Sequence, residues 1–197
     1  MFTYLVLKNL PPVPQHFVDI AYDLRKSIDL EELDLGWKSE KTSDDDWYKN
    51  RKLLIDGKEE PTTYQRRKDI GQEFDNWVHK NIHPQGRSCG VSLTDGRLGR
   101  HQGPHTDLKR NFALIYLLDS GGPDTATCFY KENGHPIVRS DRQAVCNDYS
   151  RLQLIERAQF PIAKWVILNV MILHGVENIE TIRTSFQVSI ADNVWFD

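Results

Sequence analysis

Thiol chemistry is nearly absent from this 197-residue chain: Cys89, Cys128 and Cys146 are odd in number and form no C-x-x-C pair. That argues against a disulfide framework and a zinc ribbon, and a reducing, intracellular (cytoplasmic) setting fits best. Long apolar runs are missing too. None approaches the roughly 20 residues that span a bilayer, so no membrane partner is expected. The opening Met1 to Leu10 is apolar but short, carries Lys8 and runs into prolines rather than a small-residue cleavage site, so secretion is not expected either. Nor is there an excess of one charge: a formal net charge of -3 offers no general attraction to nucleic acid, which is not an expected partner. Internal repeats, low-complexity tracts and linkers are all lacking. With 39% hydrophobic residues, the chain suffices for one domain with a sizeable core and is too short to expect two.

The chain changes texture near residue 86. Before it, Phe2 to Leu7 reads as a strand ended by Pro11, Pro12 and Pro14. Phe17, Ile20, Ala21, Leu24 and Ile28 then form one apolar stripe on a helix of about three turns. Residues Asp29 to Asp46 are acidic and aperiodic apart from Trp37, and Asp44 to Asp46 read as a solvated loop or helix start. A second helix is expected from Pro61 to Pro84. Thr62 and Gln65 could form its capping box, Ile70, Phe74, Trp77, Val78 and Ile82 its apolar face, and Arg66, Arg67 and Lys68 a solvated or partner-facing start.

After residue 86 come short alternating runs at 89–93, 111–118, 126–130, 152–155, 164–170 and 182–190, separated by turn clusters such as Ser120 to Asp124. The expected architecture is mostly β with flanking helices, an antiparallel jelly-roll supported by N-terminal helices. A single domain over 1–197 is expected, with helical support over 1–85 and the β core over 86–197.

Chemistry concentrates at Gly103-Pro104-His105-Thr106-Asp107. A histidine and a carboxylate two apart on an extended segment point to the same side, ready to hold one metal ion. H-x-D alone is a weak signal in a chain with 7 histidines. Further along stands Leu173-His174-Gly175-Val176. Two histidines and a carboxylate on one face of an ion leave its other face open, which suits iron that must also bind a cosubstrate and dioxygen. In the last run, Arg183, Ser185, Gln187 and Ser189 share one face, while Thr184, Phe186, Val188 and Ile190 share the other. If the apolar face lies under the helices, the polar face lines the barrel, and an arginine buried there needs an anionic partner such as a dicarboxylate.

Taken together, Gly-Pro-His105-Thr-Asp107, the run Phe112 to Leu118, Leu173-His174-Gly-Val-Glu-Asn-Ile179 and Arg183-Thr-Ser185 resemble the Fe(II)/2-oxoglutarate-dependent oxygenase superfamily, in its small prolyl-hydroxylase-like subgroup. The similarity covers about Val91 to Ile190. It implies a double-stranded β-helix, iron held by His105, Asp107 and His174, and dioxygen as co-reactant. It further implies that Arg183 binds the distal carboxylate of 2-oxoglutarate, with Ser185 beside it. Relatives place a tyrosine mid-strand after the H-x-D motif; Leu117 takes that place here with Tyr116 facing away, and Tyr130 is the candidate second contact. Ile115, Leu117 and Val170 would supply an apolar wall.

The activity so implied is hydroxylation of a peptidyl or small-molecule C–H bond, coupled to conversion of 2-oxoglutarate to succinate. Small proteins of marine bacteriophages share this texture, so a phage-encoded origin in a bacterial host fits as well as a bacterial one. A cupin-like metalloenzyme without 2-oxoglutarate, and a non-catalytic jelly-roll binding module, are the competing readings. His101 reads as a loop histidine near the pocket mouth, and His79 and His135 as surface groups. Arg97, Arg100, Lys109 and Arg110 surround the H-x-D strand, either making the mouth locally positive or serving as ordinary surface charge.

Overall fold

Period-two alternation beyond residue 86 becomes a run of antiparallel strands, and the residues ahead of it supply strands as well as helices. The computed structural model describes residues 2–28, 52–63, 65–107, 110–134, 137 and 144–190. The stretch with Trp37 and Asp44 to Asp46, together with Lys109 and His135, lies outside them. In chain order the first elements are β1 (Tyr4–Leu7), α1 (Gln15–Lys26), β2 (Lys52–Ile55), β3 (Lys58–Pro61), β4 (Gln65–Lys68) and α2 (Gln72–Asn81). The core strands follow: β5 (Arg87–Asp95), β6 (Gln102–His105), β7 (Phe112–Asp119), β8 (Ala126–Glu132), β9 (Leu152–Ala158), β10 (Trp165–Asn169), β11 (Leu173–Glu177) and β12 (Ile182–Ile190).

One sheet runs β1-β10-β7-β12-β5-β4, a smaller one β6-β11-β8-β9, and β2-β3 form a separate hairpin. From β5 to β12 the chain passes back and forth between the two main sheets, which is the double-stranded β-helix form of the jelly-roll. No helix among the described residues is long and apolar enough to cross a membrane.

Both helices cover the outer face of the large sheet. Phe17 and Ala21 of α1 and Phe74 and Val78 of α2 pack with Val91, Leu93, Leu114, Phe186, Val188 and Ile190 in one buried cluster. Phe17 meets Phe74 edge-on at 5.0 Å between centroids, and Phe74 meets Phe186 at 5.0 Å. Burying each such ring contributes roughly 1.5–3 kcal/mol. The apolar face of β12 thus lies under the helices, and its polar face is turned into the barrel.

The second helix begins eleven residues later than its pattern suggested, at Gln72 and not at Pro61. Pro61 ends β3, and Gln65–Lys68 pairs with β5 as an edge strand, from Gln65 opposite Thr94 to Lys68 opposite Val91. Thr62 forms no capping box; its hydroxyl donates to His101 O at 2.9 Å. Gly71, at φ 99°, is the N-cap, and its N–H is held by Asp69 Oδ1 at 2.7 Å. The shorter helix agrees with its dipole, with Glu73 and Asp75 in the first turn and His79 and Lys80 in the last. A helix starting at Pro61 would have put three cations at the positive end. The β2-β3 hairpin went unforeseen, although Asp56-Gly57, both at positive φ (49° and 76°), is a hairpin-turn dipeptide.

Candidate metal centre

The H-x-D motif lies where β6 ends. Thr106 is turned away and anchors the segment: its N–H donates to Ala144 O at 2.9 Å, and its hydroxyl accepts from Ala144 N at 2.9 Å. Asp107 N–H donates to Val170 O at 3.0 Å. His105 and Asp107 therefore emerge on the same side, as the two-residue period requires. On the neighbouring strand, His174 stands opposite His105 in the ladder. Gly175 lets the two strands meet, because a Cβ there would lie 2.6 Å from Gln102 O.

These pairings gather one ligand atom from each of His105, Asp107 and His174 within 4.8 Å of one another. His105 Nε2 lies 3.5 Å from Asp107 Oδ1, and the two imidazole centroids are 4.7 Å apart. Each ring is oriented by its own strand: Nδ1 of His105 is 2.9 Å from Gly103 O, and Nδ1 of His174 is 2.9 Å from Ile172 O. A carbonyl can only accept, so both Nδ1 atoms carry the proton and both Nε2 lone pairs face the cluster. Burial, with the neighbouring His105, pushes His174 down to about 4, which keeps its ring neutral. Burial alone would raise the Asp107 carboxyl, but the adjacent His105 and the Arg110 charge outweigh it and hold the group well below the carboxylate range. Two neutral imidazoles and an ionised carboxylate are the donor set a divalent transition metal takes.

Arg110 fixes the free oxygen of the triad, donating from Nε to Asp107 Oδ2 at 2.7 Å and from Nη1 to Ser189 Oγ at 2.9 Å. The other arginines around the motif are partly exposed and paired elsewhere: Arg97 with the buried Asp95 and Arg100 with Glu180. Of the described members of that group, only Arg110 turns inward.

The large sheet supplies the facing wall. Arg183, opposite Thr94, and Ser185, opposite Ser92 and Leu117, lie on its inner side. Arg183 is 6% exposed and makes no side-chain hydrogen bond or ion pair among the described residues. Burial pushes its guanidinium down to about 10, opposed by the charge of Asp119, which itself pairs with Arg25. Ser92 Oγ on this wall and Thr127 Oγ1 on the facing one are buried without a hydrogen-bond partner among the described residues. Arg183 and two orphaned hydroxyls lining one barrel fit a polar, anionic guest. Beside them, Ile115, Leu117 and Val170 join Phe129 and Val166 in an apolar cluster.

Tyr116 faces outward against Trp165 and Phe186, so Leu117 is the inward residue, as the register expected. Tyr130 does not join the site. His174 pairs with Phe129, so the next residue of β8 points to the other side, where Tyr130 donates to Glu177 and packs with Cys128 and Leu173. His101 lies ahead of β6 under the charge of Glu177, not with the triad, and His79 is exposed. Two inward residues escaped the sequence reading. Thr127 carries no motif, and Arg67 was assigned to a helix; the alternation Gln65-x-Arg67 was the available signal.

No family model matches the chain, and no curated protein matches it. Two of the solved structures that resemble it serve as examples. One is an oxidoreductase of the 2OG-Fe(II) oxygenase family from Burkholderia pseudomallei, at 8% identity over 95% of this chain and 84% of that one, with a TM-score of 0.44. The other is AviO1 from Streptomyces viridochromogenes Tue57, at 11% identity over 99% and 92%, with a TM-score of 0.43. The roles of the site residues rest on the geometry above.

Proposed function

We propose that this chain is an Fe(II)- and 2-oxoglutarate-dependent oxygenase that hydroxylates a C–H bond of a small molecule or peptide. The observation that carries the reading is the pairing of a two-histidine, one-carboxylate cluster with a buried Arg183, unpartnered among the described residues, inside one barrel. When bound, the iron with 2-oxoglutarate and dioxygen supplies an oxidant for unactivated C–H bonds, releasing succinate and carbon dioxide.

Each residue has a definite task in this scheme. His105 and His174 would present Nε2 while their Nδ1–H groups donate to Gly103 O and Ile172 O. Asp107 offers Oδ1 to the ion while Arg110 holds Oδ2. Arg183 forks onto the distal carboxylate of the cosubstrate, and Ser185 lies next to it on the same face. Ile115, Leu117, Phe129 and Val170 exclude water from the space between.

Succinate formation tests the proposal. Purified protein with Fe(II), ascorbate and 2-oxoglutarate should release succinate in air, slowly without substrate, and His174→Ala or Asp107→Ala should abolish both release and stoichiometric Mn(II) binding. Metal binding without succinate would favour the cupin-like or the non-catalytic reading. Full metal occupancy in both variants would refute the ligand set.

A further inference from the structure

Three guanidinium groups face the barrel interior, and of these only Arg110 has a carboxylate at hydrogen-bond distance among the described residues. Arg67 is the unexpected one. It sits on β4 opposite Ser92, which aims it inward beside the polar face of β12. It donates to Gln187 Oε1, and from Nη1 to Ser189 Oγ at 3.3 Å, both neutral acceptors. Ser189 Oγ also accepts from Arg110, so two guanidiniums converge on one hydroxyl. The carboxylate whose charge reaches Arg67 is Asp107, and burial together with Arg110 pushes Arg67 down to about 10.

The position of this pair matters. Arg183 and Ser189 stand near opposite ends of β12, six residues apart. Arg110 bridges Ser189 and Asp107, so the triad lies at the Ser189 end and Arg183 at the other. A cosubstrate stretched from the triad toward Arg183 leaves Arg67 and Arg110 untouched. In the loaded site, the charges of a divalent ion and Arg183 are matched by Asp107 and the two carboxylates of 2-oxoglutarate. Arg67 and Arg110 then remain in excess, half-buried and beside the metal.

Resting on the function proposed above, we infer that the substrate carries an oxyanion, a carboxylate or a phosphate, which docks on Arg67 with Arg110 beside it and so holds the reacting C–H near the metal. Planar guanidiniums match either group with paired hydrogen bonds. Arg67 is here a substrate-binding residue, and its link to Gln187 and Ser189 positions it.

The test uses full-length protein loaded with Mn(II) and 2-oxoglutarate, which cannot turn over, and reads the paramagnetic relaxation of ligand protons near the ion. One arm compares free L-amino acids with their amides; the other compares sugar phosphates with the parent sugars. In at least one arm the charged member should bind at least about tenfold more tightly than its neutral twin. Arg67→Gln should bring that preference within about threefold, and Arg67→Lys should restore part of it. Calorimetry should show unchanged Mn(II) and 2-oxoglutarate binding in both variants. No charged preference in either arm of the wild type, or a preference that survives Arg67→Gln, overturns this inference alone. Wild-type protein that binds no 2-oxoglutarate overturns the proposed function and this inference with it.

Discussion

Replacing Arg183 separates 2-oxoglutarate chemistry from any other use of the same barrel. In the protein without cosubstrate, burial has pushed its guanidinium down to about 10, against the charged form, although it stays protonated at neutral pH. That cost is already carried by the folded chain, so a dicarboxylate entering the barrel meets a cation with little hydration left to lose. Truncating one partner of a buried charge pair costs about 2–5 kcal/mol. At about 1.4 kcal/mol per tenfold, Arg183→Ala should weaken 2-oxoglutarate binding from about thirtyfold to several thousandfold. Arg183→Lys should recover only part, because an ammonium cannot reproduce the fork. The same geometry makes an opposite demand on stability. Arg183→Met replaces a buried charge that has no partner among the described residues with an apolar chain, so the apoprotein should unfold at the same temperature or higher. Calorimetric titration of 2-oxoglutarate into anaerobic, Mn(II)-loaded protein reads the first effect, and thermal unfolding of the metal-free protein reads the second. Undiminished affinity in Arg183→Ala, or a large loss of apoprotein stability in Arg183→Met, would show that the arginine serves a structural ion pair instead.

Three further substitutions probe the surroundings of the triad. Arg110→Gln frees Asp107 Oδ2, and the apparent Mn(II) dissociation constant should rise about 10- to 100-fold, as measured by competition with a chelator. Tyr130→Phe should leave 2-oxoglutarate affinity within about twofold of wild type, yet lower the unfolding free energy by about 1–3 kcal/mol, because Glu177 loses its donor. A changed cosubstrate affinity there would mean that the ring faces the barrel after all. In Gly175→Ala the new methyl would lie 2.6 Å from Gln102 O, so β6 and β11 must separate. Both Mn(II) affinity and thermal stability should fall, and wild-type metal affinity in this variant would contradict the ladder that brings His105 opposite His174.

Much of this protein is written in neighbouring residues. Six of the eight core strands, β5, β7, β8, β9, β10 and β12, follow from period-two alternation and turn clusters, and the split of β12 into a face with Phe186 and Val188 and a face with Arg183 and Ser185 is visible in the chain itself. His105 and Asp107 share a side because side chains of an extended chain repeat every second residue. Other features were decided only when distant segments met. Arg66 to Lys68 had helical company in sequence, but the open edge of β5 offered a row of unpaired backbone groups, and pairing there turned Arg67 inward. Arg97, Arg100 and Arg110 look alike along the chain; Asp95 and Glu180 hold the first two at the surface, and Asp107 draws the third inside. Tyr130 has the chemistry of a carboxylate partner, but the ladder opposes Phe129 to His174, and in a strand adjacent residues cannot face the same way. Local periodicity is carried by residues two to four apart and survives in the sequence. Which of two faces meets the site depends on pairing across dozens of residues, and that is settled by packing alone.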